Sequence, residues 1–263
     1  MKNKILKKLF ISFAVLLTIQ IGLFAQTSYS AQQIIENVYN RATPSDQMGE
    51  LTMTLENSRG NERVRVLKQY IKEDEDETKK IMFFMSPADV RGTSFMTFSS
   101  DEDENDSQWI YLPALKKVKR ISSGSSSDYF MGSDFTYDDM GERLPSEDVH
   151  SIIGEDTING VHCIKIQSIP NDKDYMYSKT ITWVSDELWI GLKKEFYDED
   201  GELLKTLSVL EYQEIDGYWL ITSSEMYNIQ SEHKTSIQLN DSVLDSGIRD
   251  SIFTTRTMER GIR

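Results

Sequence analysis

Short runs of alternating apolar and polar residues, separated by tight-turn sequences, constrain this chain more than any other feature. Leu51, Met53 and Leu55 point one way while Thr52 and Thr54 point the other, and Val64, Val66, Lys68 and Tyr70 repeat the pattern. Similar runs cover residues 81–85, 93–98, 108–112, 116–121, 162–168, 179–184, 192–197, 203–212, 218–227 and 234–239. A side-chain period of two is the signature of a strand with one buried face. Asn57-Ser58-Arg59-Gly60, Asn159-Gly160, Asp198-Glu199-Asp200-Gly201 and Asp216-Gly217 supply turn chemistry between the runs. About a dozen short strands joined by hairpins predict one large antiparallel sheet, which must curl or close to hide its apolar face and limit its edges. The expected class is mainly β with some α: a curved antiparallel sheet with a helix across its concave side.

The departures from alternation are few. Residues 29–42 predict a helix, because Ser30 can cap it and Ile34, Ile35, Val38 and Tyr39 share one face before Thr43-Pro44 ends it. A second short helical turn is expected after Asp250, where Ile252 and Phe253 can dock against the body. The acidic stretch 101–106 places Asp101, Asp103 and Asn105 at calcium-loop spacing. However, Asp106 stands where such a loop needs glycine and Leu112 where it needs glutamate, so the stretch reads as a solvated hairpin tip. Residues 122–140 open with Ser122-Ser123-Gly124-Ser125-Ser126-Ser127 and then turn aromatic, from Tyr129-Phe130-Met131-Gly132 to Phe135-Thr136-Tyr137. A long loop with its own apolar cluster reads as a functional loop or a lid. Gly132 is expected to let it turn, and Asp134 to pin it through backbone N–H groups of the loop itself.

The N-terminus predicts export. Lys2, Lys4, Lys7 and Lys8 precede an apolar run over 9–24, broken only by Ser12, Thr18, Gln20 and Gly22, and small Ala25 sits at a cleavage junction. A spanning helix needs about 20 apolar residues, more than this run holds. Residues 1–25 therefore read as a cleaved signal peptide and 26–263 as a single soluble, periplasmic domain. Cleavage would remove four lysines and no acids, taking the formal net charge from −14 to about −18, which repels phosphate backbones and argues against nucleic acid as a partner. Lys116, Lys117, Lys119 and Arg120 are a local exception that alternation would split between two strand faces. Cys163 is the only cysteine, so no intramolecular disulfide can form.

Groups arranged for covalent chemistry are not evident. His150, His162 and His233 are not at metal-ligand spacing, and the chain has no nucleophile elbow, phosphate loop or dinucleotide fingerprint. Asp134 and Asp138 can be drawn as acid and base, but in a chain with 43 acids that spacing carries little weight. The expectation is a binding module without cofactor, not an enzyme. Met48, Met53, Met82, Met85, Met96, Met131 and Met140 mix with Phe83, Phe84, Phe95, Phe98, Phe130 and Phe135. Taken singly each reads as core; their concentration between 81 and 140, beside a Gly/Ser-rich hinge, fits a cavity for apolar guests of variable shape.

Three motifs add a family resemblance. They are Phe84-Met85-Ser86-Pro87-Ala88-Asp89-Val90-Arg91-Gly92-Thr93, then Trp109-Ile110-Tyr111-Leu112-Pro113-Ala114-Leu115-Lys116-Lys117-Val118-Lys119-Arg120-Ile121, then Phe130-Met131-Gly132-Ser133-Asp134-Phe135-Thr136-Tyr137-Asp138-Asp139-Met140. With Gly191-Leu192-Lys193-Lys194 and Phe253-Thr254-Thr255-Arg256, this order resembles the outer-membrane lipoprotein-sorting proteins of the LolA-like family, in the branch associated with RND-type exporters. The resemblance implies an unclosed β-barrel whose helices and lid cover a hydrophobic cavity. It implies a periplasmic carrier of lipoprotein or lipid cargo moving toward the outer membrane, with an RND-type inner-membrane exporter as partner and transient membrane contact. The alternative is a sensor or adaptor of such an exporter, or of an envelope-stress system, that transfers nothing. For a carrier, Met53, Val66, Phe83, Phe98, Trp109, Tyr111, Phe130, Met131 and Phe135 are the expected lining. Arg63, Arg65 and Arg91 stay open as counterparts of the family's functional arginine. Exposing one 16-carbon chain to water costs about 12 kcal/mol, so crossing an aqueous gap requires an enclosing cavity.

Overall fold

A computed structural model of the protein describes residues 29–74, 77–100 and 103–262; the expected signal peptide lies outside them. In chain order the strands are β1 (Asp46–Glu56), β2 (Glu62–Glu73), β3 (Glu77–Ser86), β4 (Ser94–Ser100), β5 (Asp103–Leu112), β6 (Lys117–Arg120), β7 (Asp148–Ile158), β8 (Val161–Pro170), β9 (Lys179–Ser185), β10 (Ile190–Tyr197), β11 (Leu203–Ile215), β12 (Tyr218–Asn228) and β13 (His233–Leu244). Among the described residues these 13 strands form one sheet, ordered β6-β5-β4-β3-β2-β1-β13-β12-β11-β10-β9-β8-β7. Every paired neighbour is antiparallel and, except for β1 with β13, consecutive in sequence. The β1–β13 pairing, with Met53 opposite Ile237, closes the meander in its middle and leaves β6 and β7 as free edges. Residues 121–147 run from one free edge to the other. They cross the inside of the unclosed barrel.

Local chemistry accounts for the elements. Asn159 and Gly160 (φ 51° and 86°) and Asp216 and Gly217 (φ 51° and 87°) hold paired left-handed conformations, which suit two-residue hairpins. In the β1–β2 turn, Asn57 Oδ1 accepts the N–H groups of Arg59 (3.0 Å) and Asn61 (3.1 Å). Helix α1 (Ala31–Tyr39) starts on a capping box between Ser30 and Gln33 and buries Ala31 and Ile34 against Ile164, Ile166 and Val184 of β8 and β9. It is shorter than the span 29–42, because Asn40 turns its side chain back onto the Glu36 carbonyl at 2.9 Å. Among the described residues no helix is long and apolar enough to cross a membrane.

Strand β7 is absent from the alternating runs. Its register shifts between Ile152 and Gly154, and as an edge strand it leaves Val149, Ile152 and Ile153 exposed, so its apolar residues show no steady phase. In β3, by contrast, Ile81, Met82, Phe83 and Phe84 are all buried, because both faces of that region are covered. The inner face, turned toward the crossing segment, carries Leu51, Met53, Leu55, Leu67, Met82, Phe84, Phe95 and Ile110. The outer face carries Ile81, Phe83 and Met96, packed with Phe98, Trp109 and Tyr111 under Phe253 and Met258 of the C-terminal tail. The tail includes a short 3-10 turn at Asp250–Ile252 and helix α2 (Thr255–Arg260), in keeping with the helical turn expected there.

Candidate functional site

The crossing segment places Phe130 at the bottom of the apolar inner face. Phe130 is fully buried, with ring centroids 4.9 Å from Phe95 and 6.0 Å from Phe84. Only a few residues later, Phe135 joins Tyr177, Phe196 and Met226 from the opposite half of the sheet. Two consecutive left-handed residues, Met131 (φ 52°) and Gly132 (φ 74°), make the turn between them. Such a conformation is uncommon for a side chain like methionine and requires support. Arg65 supplies it: its Nη1 donates to the Met131 carbonyl at 2.7 Å, and its guanidinium lies 5.9 Å from the centre of the Phe84 ring. Burial lowers the pKa of Arg65, against the pull of Asp89, but a guanidinium remains charged at any working pH.

A second set of ties holds the segment to β11 and β13. The Asp134 N–H donates to Thr235 Oγ1 at 3.0 Å, and Asp134 Oδ2 accepts from Thr235 Oγ1 and from His233 Nδ1, both at 2.7 Å. The pinning thus runs to the sheet rather than to the loop's own backbone. The Asp134 carbonyl accepts from Lys205 Nζ at 3.0 Å, and the same ammonium pairs with Asp139. Lys205 has no solvent exposure and Asp139 very little. Asp139 also accepts the Thr136 N–H at 2.7 Å and the Tyr177 hydroxyl at 3.0 Å. Burial, reinforced by Asp139, raises the Tyr177 phenol far above its ordinary value, so it acts as a donor. Burial likewise raises the Asp138 carboxyl, opposed by the Tyr175 hydroxyl that donates to it. On the far side, Gln108 Nε2 donates to the Tyr137 carbonyl at 2.8 Å.

The expected lining residues fall into separate places. Met53, Phe130 and Met131 share one inner cluster, and Phe135 stands in the adjoining one. Phe83, Phe98, Trp109 and Tyr111 lie together on the outer face under the tail. Val66 is half-buried and alternates with inward-facing Arg65 and Leu67. One cavity cannot touch both sets. Phe83 and Phe84 show why the sequence could not separate them: both are buried, so no polar neighbour marks the inward direction. The structure brings in Lys205, Asp139 and His233, which the sequence did not place at the site, and Arg65, which it left open beside Arg63 and Arg91. Lys205 carried a readable signal, since it is in phase with Leu207 and Val209 on the buried face of its strand.

Beside the plugged apolar strip the inner face is polar. A cavity of about 570 Å³ between the end of α1 and the sheet is lined by Arg41, Gln47, Glu73, Lys80, Arg143 and Trp219, among others. It adjoins one of about 200 Å³ reaching Leu51, Gln69, Thr222, Ile237 and Leu239. A third, of about 290 Å³, is bounded by Phe135, Asp139, Tyr177 and Lys194, and burial lowers the pKa of that lysine. Among the described residues no group of His, Cys, Asp and Glu is arranged to hold a metal ion. The arrangement is an apolar strip covered by a connecting segment, with polar cavities beside it.

Comparisons with known proteins agree with this architecture. A family model described as an uncharacterized protein family matches residues 76–260. No curated protein matches the sequence. Among solved structures, a domain from Vibrio parahaemolyticus described as an outer membrane lipoprotein-sorting protein is 33% identical, with a TM-score of 0.82, over 88% of this chain and 98% of that one. A DUF1329 family protein from Desulfovibrio piger is 26% identical, with a TM-score of 0.82, over 87% and 97% of the two chains. A LolA superfamily protein from Nitrosomonas europaea shares the fold, with a TM-score of 0.67, at 19% identity over 87% of this chain and 99% of that one. The unclosed sheet, its crossing segment and these similarities place the chain in the LolA-like family of outer membrane lipoprotein-sorting proteins.

Proposed function

We propose that the mature chain, residues 26–263, is a periplasmic carrier that accepts the acyl chains of a lipoprotein or lipid on the strip now covered by Phe130, without covalent chemistry. One observation carries the reading. The apolar inner face is sealed by a residue of the connecting segment rather than by the sheet, and that segment is fastened through polar contacts. Polar ties can be exchanged for water or for a partner's groups at small net cost, whereas a sealed apolar core cannot open without exposing its surface. A displaced Phe130 would leave Leu51, Met53, Leu67 and Phe84 facing an acyl chain, and covering that chain offsets the loss of the aromatic ring.

The reading includes passing contact with a membrane. The β5–β6 hairpin presents Leu115, 63% exposed, beside Lys116 and Lys117 in a chain of net charge −14. It also includes an RND-type exporter as partner, which rests on the family resemblance. The experiment is transfer of a fluorescent tripalmitoyl lipopeptide from donor to acceptor vesicles, with native mass spectrometry of the protein after extraction. The carrier reading expects a lipopeptide complex and accelerated transfer, with faster uptake by Arg65→Ala because the plug loses its clamp. A protein that forms no such complex and moves no lipopeptide, yet co-purifies with an exporter, would instead be a non-transferring adaptor.

A further inference from the structure

The hollow beside the plug has the wrong chemistry for an acyl chain. Its two adjoining cavities share Arg41, Gln47 and Leu220. The larger one carries both signs of charge, with Arg41 and Lys80 against Glu73 and Asp74. Arg41 spends one guanidinium nitrogen on the Trp219 carbonyl at 2.7 Å; burial lowers its pKa, and Glu73 pulls it back up. Lys80 takes part in no ion pair among the described residues. Its direct cross-strand neighbour, Thr97, is buried with a hydroxyl that has no hydrogen-bond partner.

The smaller cavity repeats the feature. Thr222 is only 6% exposed, lines this space, and its Oγ1 also lacks a partner. Buried hydroxyls are nearly always satisfied, so the unsatisfied one on the wall of the smaller cavity, with a second across the strand pair from Lys80, marks a place where something polar belongs. Water could serve, but the position of the hollow argues for more. Leu51, Ile237 and Leu239 line the smaller cavity and also pack with the apolar cluster beneath Phe130. One continuous inner surface therefore runs from a mixed-charge mouth, through hydroxyls and amides, to an apolar strip.

We propose that this polar hollow is a headgroup subsite for a phosphate–ammonium zwitterion, so that the cargo is an amphiphile enclosed head and tail, as in a zwitterionic phospholipid. The proposal rests on the carrier reading and adds the class of headgroup. Arg41 and Lys80 meet the phosphate, since charge-assisted hydrogen bonds to phosphate oxygens are among the strongest a side chain makes. Glu73 faces the ammonium, and Gln69 and Thr222 meet the ester oxygens where head and tail join. A purely anionic head would be repelled by Glu73, since Asp74 is already paired with Lys79, and an uncharged one would leave Arg41 and Lys80 desolvated without a partner.

The test is calorimetric titration with three probes below their micelle concentrations. They are dodecylphosphocholine, an uncharged twelve-carbon glycol ether, and glycerophosphocholine, which has the head without the chain. Wild-type protein is expected to bind dodecylphosphocholine about tenfold more tightly than the glycol ether, and glycerophosphocholine more weakly than either. The double variant Arg41→Gln/Lys80→Met should lose the preference but keep its affinity for the glycol ether, which also shows that it is folded. Arg41→Lys alone should keep most of the preference. Equal affinity of the wild type for both detergents, or a preference that survives the double variant, overturns the headgroup assignment and leaves the carrier reading standing. Binding of glycerophosphocholine as tight as that of the detergent would make the hollow a site for a soluble head and overturn the lipid assignment. Failure of every probe to bind would remove the carrier reading and this inference with it.

Discussion

Strands β2 to β6 are covered twice, by the crossing segment on one face and by the C-terminal tail on the other, and the two covers are fastened differently. The tail leaves β13 through a turn whose backbone is gripped by Asp46. The Ser246 N–H (2.9 Å) and hydroxyl (2.8 Å), the Gly247 N–H (2.8 Å) and the Ile248 N–H (3.0 Å) all donate to that carboxylate. Beyond it, Phe253 and Met258 bury themselves among Ile81, Phe83 and Met96, and Ser94 Oγ donates to the Met258 carbonyl at 3.1 Å. The crossing segment also packs, through Phe130, but it adds buried polar ties of its own: Arg65, Asp134 with His233 and Thr235, and the ion pair of Lys205 with Asp139. A cover closed by packing is a permanent part of the core. One closed by buried charges is costly to leave half-made, so it tends to be either fully engaged or released.

That contrast makes Lys205 the place of largest expected effect. Lys205→Ala strands the Asp139 carboxylate, and removing one member of a buried pair costs about 3–5 kcal/mol. Chemical unfolding should show the loss, and Lys205→Met combined with Asp139→Asn should recover part of it, since no charge is left buried and the amide oxygen can still accept the Thr136 N–H. If the single variant is as stable as wild type, the crossing segment is not held by this pair and the contrast between the covers fails.

Much of this contrast was out of reach of the sequence, for identifiable reasons. The strands were legible because alternation and turn chemistry are local, and Asn159-Gly160 and Asp216-Gly217 fall at the hairpins they mark. The β1–β13 pairing, which leaves β6 and β7 as edges, is non-local and has no sequence mark. Phase is the deeper difficulty. Where one face is wetter, as along β1, Thr52 and Thr54 show which way is out. Along Ile81, Met82, Phe83 and Phe84 both faces are dry, so Phe83, Phe98, Trp109 and Tyr111 could not be told from the residues beneath Phe130. Charged residues in an apolar phase were the usable clue. Arg65 beside Leu67, and Lys205 before Leu207, each announce a buried partner elsewhere in the chain.

A matched pair of truncations sharpens the comparison. Phe130→Ala and Phe253→Ala each delete a buried ring and should each cost about 3–5 kcal/mol before relaxation. Their binding phenotypes should differ. Phe130→Ala opens the inner strip and is expected to raise the affinity for an apolar fluorophore or an acyl chain, with the ligand restoring part of the lost stability by mass action. Phe253→Ala opens a face that lies on the other side of the sheet, and acyl-chain affinity should be unchanged. Equal gains in both variants would mean that the two covers are interchangeable.

The smallest of these effects concerns Asp46 and is read through pH. Burial alone would raise this carboxyl, but the hydrogen bonds from Ser246, Ile248 and Gly247 outweigh it and hold the pKa below the usual aspartate value. The folded state therefore binds the proton less readily than the unfolded chain. The stabilisation is fully present above the unfolded pKa of about 3.9 and is lost as pH falls through the lower folded value. Asp46→Asn keeps the shape and removes the charge, so it should cost about 1–3 kcal/mol at neutral pH, the usual worth of hydrogen bonds to a charged group. The gap between variant and wild type should narrow as the pH is taken from 7 toward 3. The packing of the inner face around Phe130 should not respond, because Asp46 fastens the outer cover. A constant gap across that range would mean that the carboxylate's charge contributes nothing to holding the tail, and that packing under Phe253 and Met258 carries it alone.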